Sequence, residues 1–98
     1  MRDPQILEQV KSTLAVLTET MPGRAIEVRI PPYAAVQCGD GPTHTRGTPP
    51  NVIEMDAQTW LALVEGSTTW ADAMEAGKIN ASGVRADLSA ILPFKASN

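Results

Sequence analysis

Between Thr59 and Gly83 the chain reads TWLALVEGSTTWADAMEAGKINASG, and Gly66, Gly77 and Gly83 each follow a short periodic apolar run. Glycine enters the positive-φ region without steric cost, so it ends a helix or strand abruptly where other residues resist. The segment is therefore cut into two short amphipathic helices and a strand. Asp56 is placed to cap the first helix, which carries Trp60, Leu61, Leu63 and Val64. Thr69, with Asp72 three residues on, resembles a capping box and opens the second, with Trp70, Ala73 and Met74 on one side. Lys78–Ser82 is short enough for a strand. Pieces this short do not hold alone, and their apolar faces need a second layer to cover.

The rest of the chain supplies that layer. Asp3-Pro4 is a helix start, a capping acid before proline at the first helical position, and Leu7, Val10, Leu14, Leu17 and Met21 then recur at helical spacing. Pro22-Gly23 stops the helix. From Arg24 the period changes to two, with Ile26, Val28 and Ile30 alternating with Ala25, Glu27 and Arg29. Tyr33–Cys38 reads as a second strand with Ala34, Val36 and Cys38 on one face, and Pro31-Pro32 argues for a bulged or wide connection before it. Gly39–Pro50 is a polar loop whose middle could pair as an edge strand, and Asn51–Met55 is a third apolar run of strand length. Val84, Leu88, Ile91 and Leu92 predict a last amphipathic helix broken by Pro93, with Phe94–Asn98 a loose tail. The expected architecture is an α+β fold of two layers, a mostly antiparallel sheet of about five strands covered by helices, in one domain spanning residues 1–98.

Composition narrows the functions open to such a domain. Eight basic against 11 acidic residues give a net charge of −3 without any basic cluster, so neither nucleic acid nor a polybasic membrane contact is expected. No apolar run approaches the length of a bilayer span, and the first residues lack the apolar core of a signal peptide, so stable membrane insertion is not expected. A single cysteine, Cys38, cannot form an intramolecular disulfide, and the cytoplasm is the expected compartment. Hydrophobic residues make up 43% of the chain and aromatics 4%, which leaves a core of Leu, Val, Ile, Ala and Met.

No catalytic constellation accompanies this scaffold. Cys38, Asp40 and His44 carry ligand types that bind zinc, yet the spacing of structural or catalytic sites is missing and no metal or other cofactor is expected. Cys38 falls on the apolar face of its strand, where a thiol is buried and inert, so a Cys38–His44 nucleophile and base pair is rejected. The polar loop holds His44, Arg46, Thr48 and Asn51, a set suited to a carboxylate or phosphate head group, or to a protein partner. The same residues also serve as ordinary turn formers.

The spacing W-x-x-L-x-x-G-x-x-x-W-x-x-A-x-x-x-G-K-I-x-A-S-G, from Trp60 to Gly83, resembles the sterol carrier protein-2 superfamily. Arg29–Cys38, His44–Asn51 and Ser82–Leu88 resemble a small actinobacterial-type branch of it, related to the C-terminal domain of mycothiol-dependent maleylpyruvate isomerases. The resemblance implies a five-stranded sheet under helices, with an apolar tunnel between the layers, and a carrier of lipids, fatty acyl groups or sterols without enzymatic activity.

The expected lining of that tunnel is Val28, Ile30, Val36, Trp60, Val64, Met74, Leu88 and Ile91, with Trp60, Val64 and Met74 facing inward as its roof. Burying each such side chain stabilises the fold by roughly 1.5–3 kcal/mol whether or not a ligand is present, so a filled core stays open as a reading. With a filled core the domain would be a protein-interaction module. A detached subunit of a thiol-dependent isomerase is the third alternative. The oligomeric state, monomer or dimer, is left open.

Overall fold

The computed structural model describes residues 3–41 and 51–94, and the order of elements follows the sequence pattern closely. Helix α1 spans Pro4–Thr20, and its start is built as the sequence predicts: the Asp3 carboxylate accepts the main-chain N–H of Gln5 at 2.8 Å and of Ile6 at 3.3 Å. Val10, Leu14 and Leu17, one stripe at helical spacing, are fully buried. The chain then turns into strand β1, Ile26–Ile30, whose burial alternates as its sequence does: Ile26, Val28 and Ile30 point into the core, Glu27 and Arg29 away from it.

Strand β2, Ala34–Cys38, pairs antiparallel with β1, with Ile30 opposite Ala34 and Ile26 opposite Cys38. The Pro31-Pro32 connection is not wide: only Pro31, Pro32 and Tyr33 separate the paired ends, and the Tyr33 N–H donates to Ile30 O at 2.8 Å to close the turn. The prolines occupy turn positions that require no N–H, so the reading of them as a break in the hairpin is corrected. Strand β3, Asn51–Glu54, lies parallel to β1 on its other side, and β4, Asn80–Ser82, pairs antiparallel with β3. The sheet order is β2-β1-β3-β4. Two of its three pairings are antiparallel, as expected, but the described residues form four strands and not five. The middle of the polar loop, read as a further edge strand, lies outside the described residues.

Helix α2, Ala57–Glu65, is capped by Asp56, which accepts the Thr59 N–H at 2.8 Å, and ends at Gly66 with φ +87°. Helix α3, Trp70–Glu75, is capped by the Thr69 hydroxyl accepting the Asp72 N–H at 3.1 Å. Helices α1 and α2 pack against one another over the inner face of the sheet, and the core between them runs from Val10, Leu14 and Leu17 through Val28, Ile30 and Ile53 to Trp60, Leu63 and Leu88. Among the described residues, no helix is long and apolar enough to cross a membrane.

The last helix does not form. Residues 83–94 make a succession of turns, with Ala86 N–H on Gly83 O, Asp87 N–H on Arg85 O and Ile91 N–H on Leu88 O. Two local interactions compete with a helix there. The Asp87 carboxylate takes the Ser89 N–H at 2.8 Å, a side-chain bond that offers the backbone another way to satisfy itself. Gly83 and Pro93 leave nine residues between them, about two and a half turns, too few to be stable without packing. Leu88 is buried as a single anchor, whereas Val84, expected on the same apolar face, is 100% exposed. Phe94, expected in a loose tail, is packed: its N–H donates to Val64 O at 3.2 Å and its ring meets Trp60 edge-on at a centroid distance of 6.0 Å.

Candidate functional site

The residues named as a cavity lining divide into three places. Val28, Ile30, Trp60 and Leu88 are fully buried members of the core between sheet and helices, and Val36 is half-buried beside them on β2. Val64 and Ile91 are half-buried at the end of the helical layer, against the C-terminal segment. Met74 is 41% exposed on α3, so its inward orientation is corrected: α3 buries only Ala73, and a helix of under two turns presents too narrow a face to turn both residues in.

Of the polar set, His44, Arg46 and Thr48 lie outside the described residues. Asn51 is 3% exposed, and its side chain is occupied by the fold. Its Nδ2 donates to Ala25 O at 2.9 Å, and its Oδ1 accepts the Arg85 N–H at 2.9 Å. The guanidinium of Arg85 also donates through Nη1 to Asp40 O at 3.3 Å. Asp40 stands at the start of the polar loop and Asn51 just after it, so Arg85 contacts both of its ends. Sequence reasoning assigned Arg85 no role, since an arginine on a presumed helix surface carries no sign of such a bridge.

Cys38 is fully buried beneath the sheet, and burial pushes its thiol up to about 11, far from the thiolate that nucleophilic chemistry needs. No cluster of three or more metal-binding side chains occurs among the described residues. The Asp56 carboxyl is held below its ordinary value by the N–H of Thr59, and the Asp87 carboxyl by its bonds with Ser89. Both are local caps with nothing reactive beside them.

The open apolar space lies along the C-terminal segment. Val16 and Thr20 of α1 face Ile91, Leu92, Pro93 and Phe94 across a groove of about 470 Å³. Val16 is 41% exposed there. It stands apart from the buried stripe of its helix, and its neighbours three and four residues away, Ser12, Thr13, Glu19 and Thr20, are polar; that lone valine on a polar face was the available sequence signal. The segment forming the opposite wall is pinned by Phe94 on Trp60 and Val64. A groove of this size is within the ordinary range of small-molecule sites, about 300–1,000 Å³, and its walls are mainly aliphatic and aromatic.

Among solved structures, the chain is similar to sterol carrier protein 2 like 2 from Aedes aegypti, at 17% sequence identity and a TM-score of 0.42, over 82% of this chain and 83% of that one. No curated protein matches the chain. A family model described as "Bacterial SCP ortholog" matches residues 2–94, and the chain belongs to that bacterial SCP family.

Proposed function

We propose that the domain is a non-enzymatic binding or carrier module for an apolar or amphiphilic small molecule. The observation that carries this reading is the groove between α1 and residues 90–94, with apolar walls and a volume suited to a small ligand. Membership of a family of sterol carrier protein orthologues supports it. So does the character of the only cysteine, a buried thiol held neutral. Of the lining residues named from sequence, Ile91 borders the groove, and Trp60 and Val64 hold Phe94 in place. A ligand would enter beside Val16 and lie along Ile91 and Leu92. The cytoplasm, where Cys38 stays reduced, is the compartment in which we place this activity.

The test is native mass spectrometry of gently purified protein, with organic extraction of whatever accompanies it, followed by titration with fluorescent acyl probes. A lipid or acyl adduct, or saturable probe binding displaced by unlabelled fatty acid, is the expected result. Bare protein that takes up no probe would overturn the carrier reading.

A further inference from the structure

Phe94 borders both the groove and the core. It lines the groove together with Val16 and Thr20, and its ring meets Trp60 edge-on at a centroid distance of 6.0 Å. Trp60 is 0% exposed, and the Phe94 ring is part of its cover. A large apolar surface therefore lies directly behind a residue that walls the open space.

The parts around that ring are held in place by other contacts. The Phe94 main chain is fixed by its N–H, which donates to Val64 O at 3.2 Å. The Pro93 ring stands over Gly66 at the end of α2, where a Cβ would lie 3.3 Å from it. Trp60 is held from the side of α1, its indole N–H on the Thr13 hydroxyl at 2.8 Å. Val16 is carried by α1, which is anchored through the buried Val10, Leu14 and Leu17. None of these contacts uses the Phe94 ring. Truncating the ring thus empties a place and leaves the walls standing, since structure around a lost side chain relaxes only partly. The vacated place opens on the groove at one side and on the Trp60 indole at the other.

We infer that Phe94 is the size-determining residue of the groove: its ring sets how far an apolar ligand reaches toward Trp60. The inference rests on the carrier reading and adds to it the residue that limits the ligand. A smaller side chain at this position deepens the groove and makes the indole part of its wall.

The experiment titrates the full chain with straight-chain primary alcohols from hexanol to dodecanol and reads affinity by calorimetry. Each methylene that finds cover adds about fourfold to affinity. The gain stops at the length that fills the groove. In Phe94→Ala it should continue for about two further carbons, and in Phe94→Leu, which keeps a packed apolar side chain, for about one. A purely structural role would lower the stability of both variants and leave the limiting length unmoved. A second measurement follows contact with the indole. Trp70→Phe leaves Trp60 as the sole tryptophan. In that background an alcohol brominated at its far end should quench the fluorescence weakly with Phe94 present and strongly with Phe94→Ala. If Phe94→Ala does not fold, Phe94→Leu carries both measurements. The same limiting length in the parent chain and the variants, or quenching that does not rise, would overturn the inference and leave the carrier reading standing. Failure of every alcohol to bind any of the chains would overturn both.

Discussion

The indole N–H of Trp60 donates to the hydroxyl of Thr13 at 2.8 Å, tying α2 to α1 across 47 residues of sequence. Trp60 is the largest fully buried side chain among the described residues, and the Thr13 hydroxyl itself donates a hydrogen bond to a main-chain carbonyl of α1, Gln9 O or Val10 O. Thr13→Val preserves the shape and removes the acceptor, leaving a buried indole N–H without a partner. A loss of about 1–3 kcal/mol is expected. Thr13→Ser, which keeps the oxygen, should lose much less. Urea unfolding of the two variants side by side measures the bond.

Asn51 holds together three parts of the chain: its own strand β3, Ala25 ahead of β1, and Arg85 beyond β4. Asn51→Ala strands a carbonyl and an N–H together and should destabilise the fold by about 2–4 kcal/mol. Asn51→Asp keeps the acceptor for Arg85 but turns an oxygen toward Ala25 O. It should be destabilised near neutral pH and regain part of the loss in mild acid, when the carboxyl recovers a proton to donate. Chemical denaturation at two pH values separates these outcomes.

Much of this architecture was legible in the sequence because it depends on neighbours close along the chain. Asp3-Pro4, the stripe of Val10, Leu14 and Leu17, the alternation of Ile26, Val28 and Ile30, and the Asp56 and Thr69 caps all act within a few residues. The failures have local causes too, of the kind that periodicity does not register. Val84, Leu88 and Ile91 keep helical spacing, but the Asp87 carboxylate captures the Ser89 N–H and turns replace the helix. The site was less visible than the fold. Asn51 is polar and looked like a loop residue, whereas its amide is consumed by partners at Ala25 and Arg85, far away in sequence. One wall of the groove is Phe94, which docks on Trp60, a contact between distant segments that no spacing records.

Asp56 gives the fold a dependence on acid. Its carboxyl titrates lower in the folded chain than in the unfolded one, chiefly through the Thr59 N–H. A depressed folded value means the unfolded state takes up the proton first, so the stabilisation is complete above the ordinary carboxylate value and is lost as pH falls through the folded one. Stability should therefore decline as pH drops from about 4 toward 2. Asp56→Asn keeps an acceptor for the N–H without the charge and should show a shallower decline. Asp56→Ala should cost about 1 kcal/mol near neutral pH, the usual worth of an N-cap. Thermal melts across that range test all three chains.

Cys38 has the opposite sign at the alkaline end. Burial lifts its thiol from 9.0 to about 11, so between those values the unfolded chain releases a proton that the folded chain keeps. Ionisation then favours unfolding, and stability should fall as pH rises across that interval. Cys38→Ala removes this slope at the cost of a small cavity. A thiol reagent at about pH 8 should modify the native protein far more slowly than the urea-unfolded chain. Rapid modification of native protein would contradict the burial.

Gly23 meets Gly39 where the exit of α1 passes the end of β2. A Cβ built on Gly23 would lie 1.9 Å from Gly39 O, and the residue sits at φ +141°, so space and backbone conformation both exclude a side chain. Gly39 O accepts the Ala25 N–H at 3.1 Å and cannot withdraw without giving up that bond. Gly66 is the useful comparison. It also has positive φ, +87°, but its Cβ would meet only the Pro93 ring, at 3.3 Å. Gly66→Ala should cost about 1 kcal/mol for the left-handed conformation. Gly23→Ala carries that cost and a main-chain clash as well, so it should lose more than about 3 kcal/mol, in the range reserved for named structural faults. Unfolding midpoints of the two variants decide the matter, because near-equal losses would mean that the α1 exit and the β2 end do not approach as closely as this.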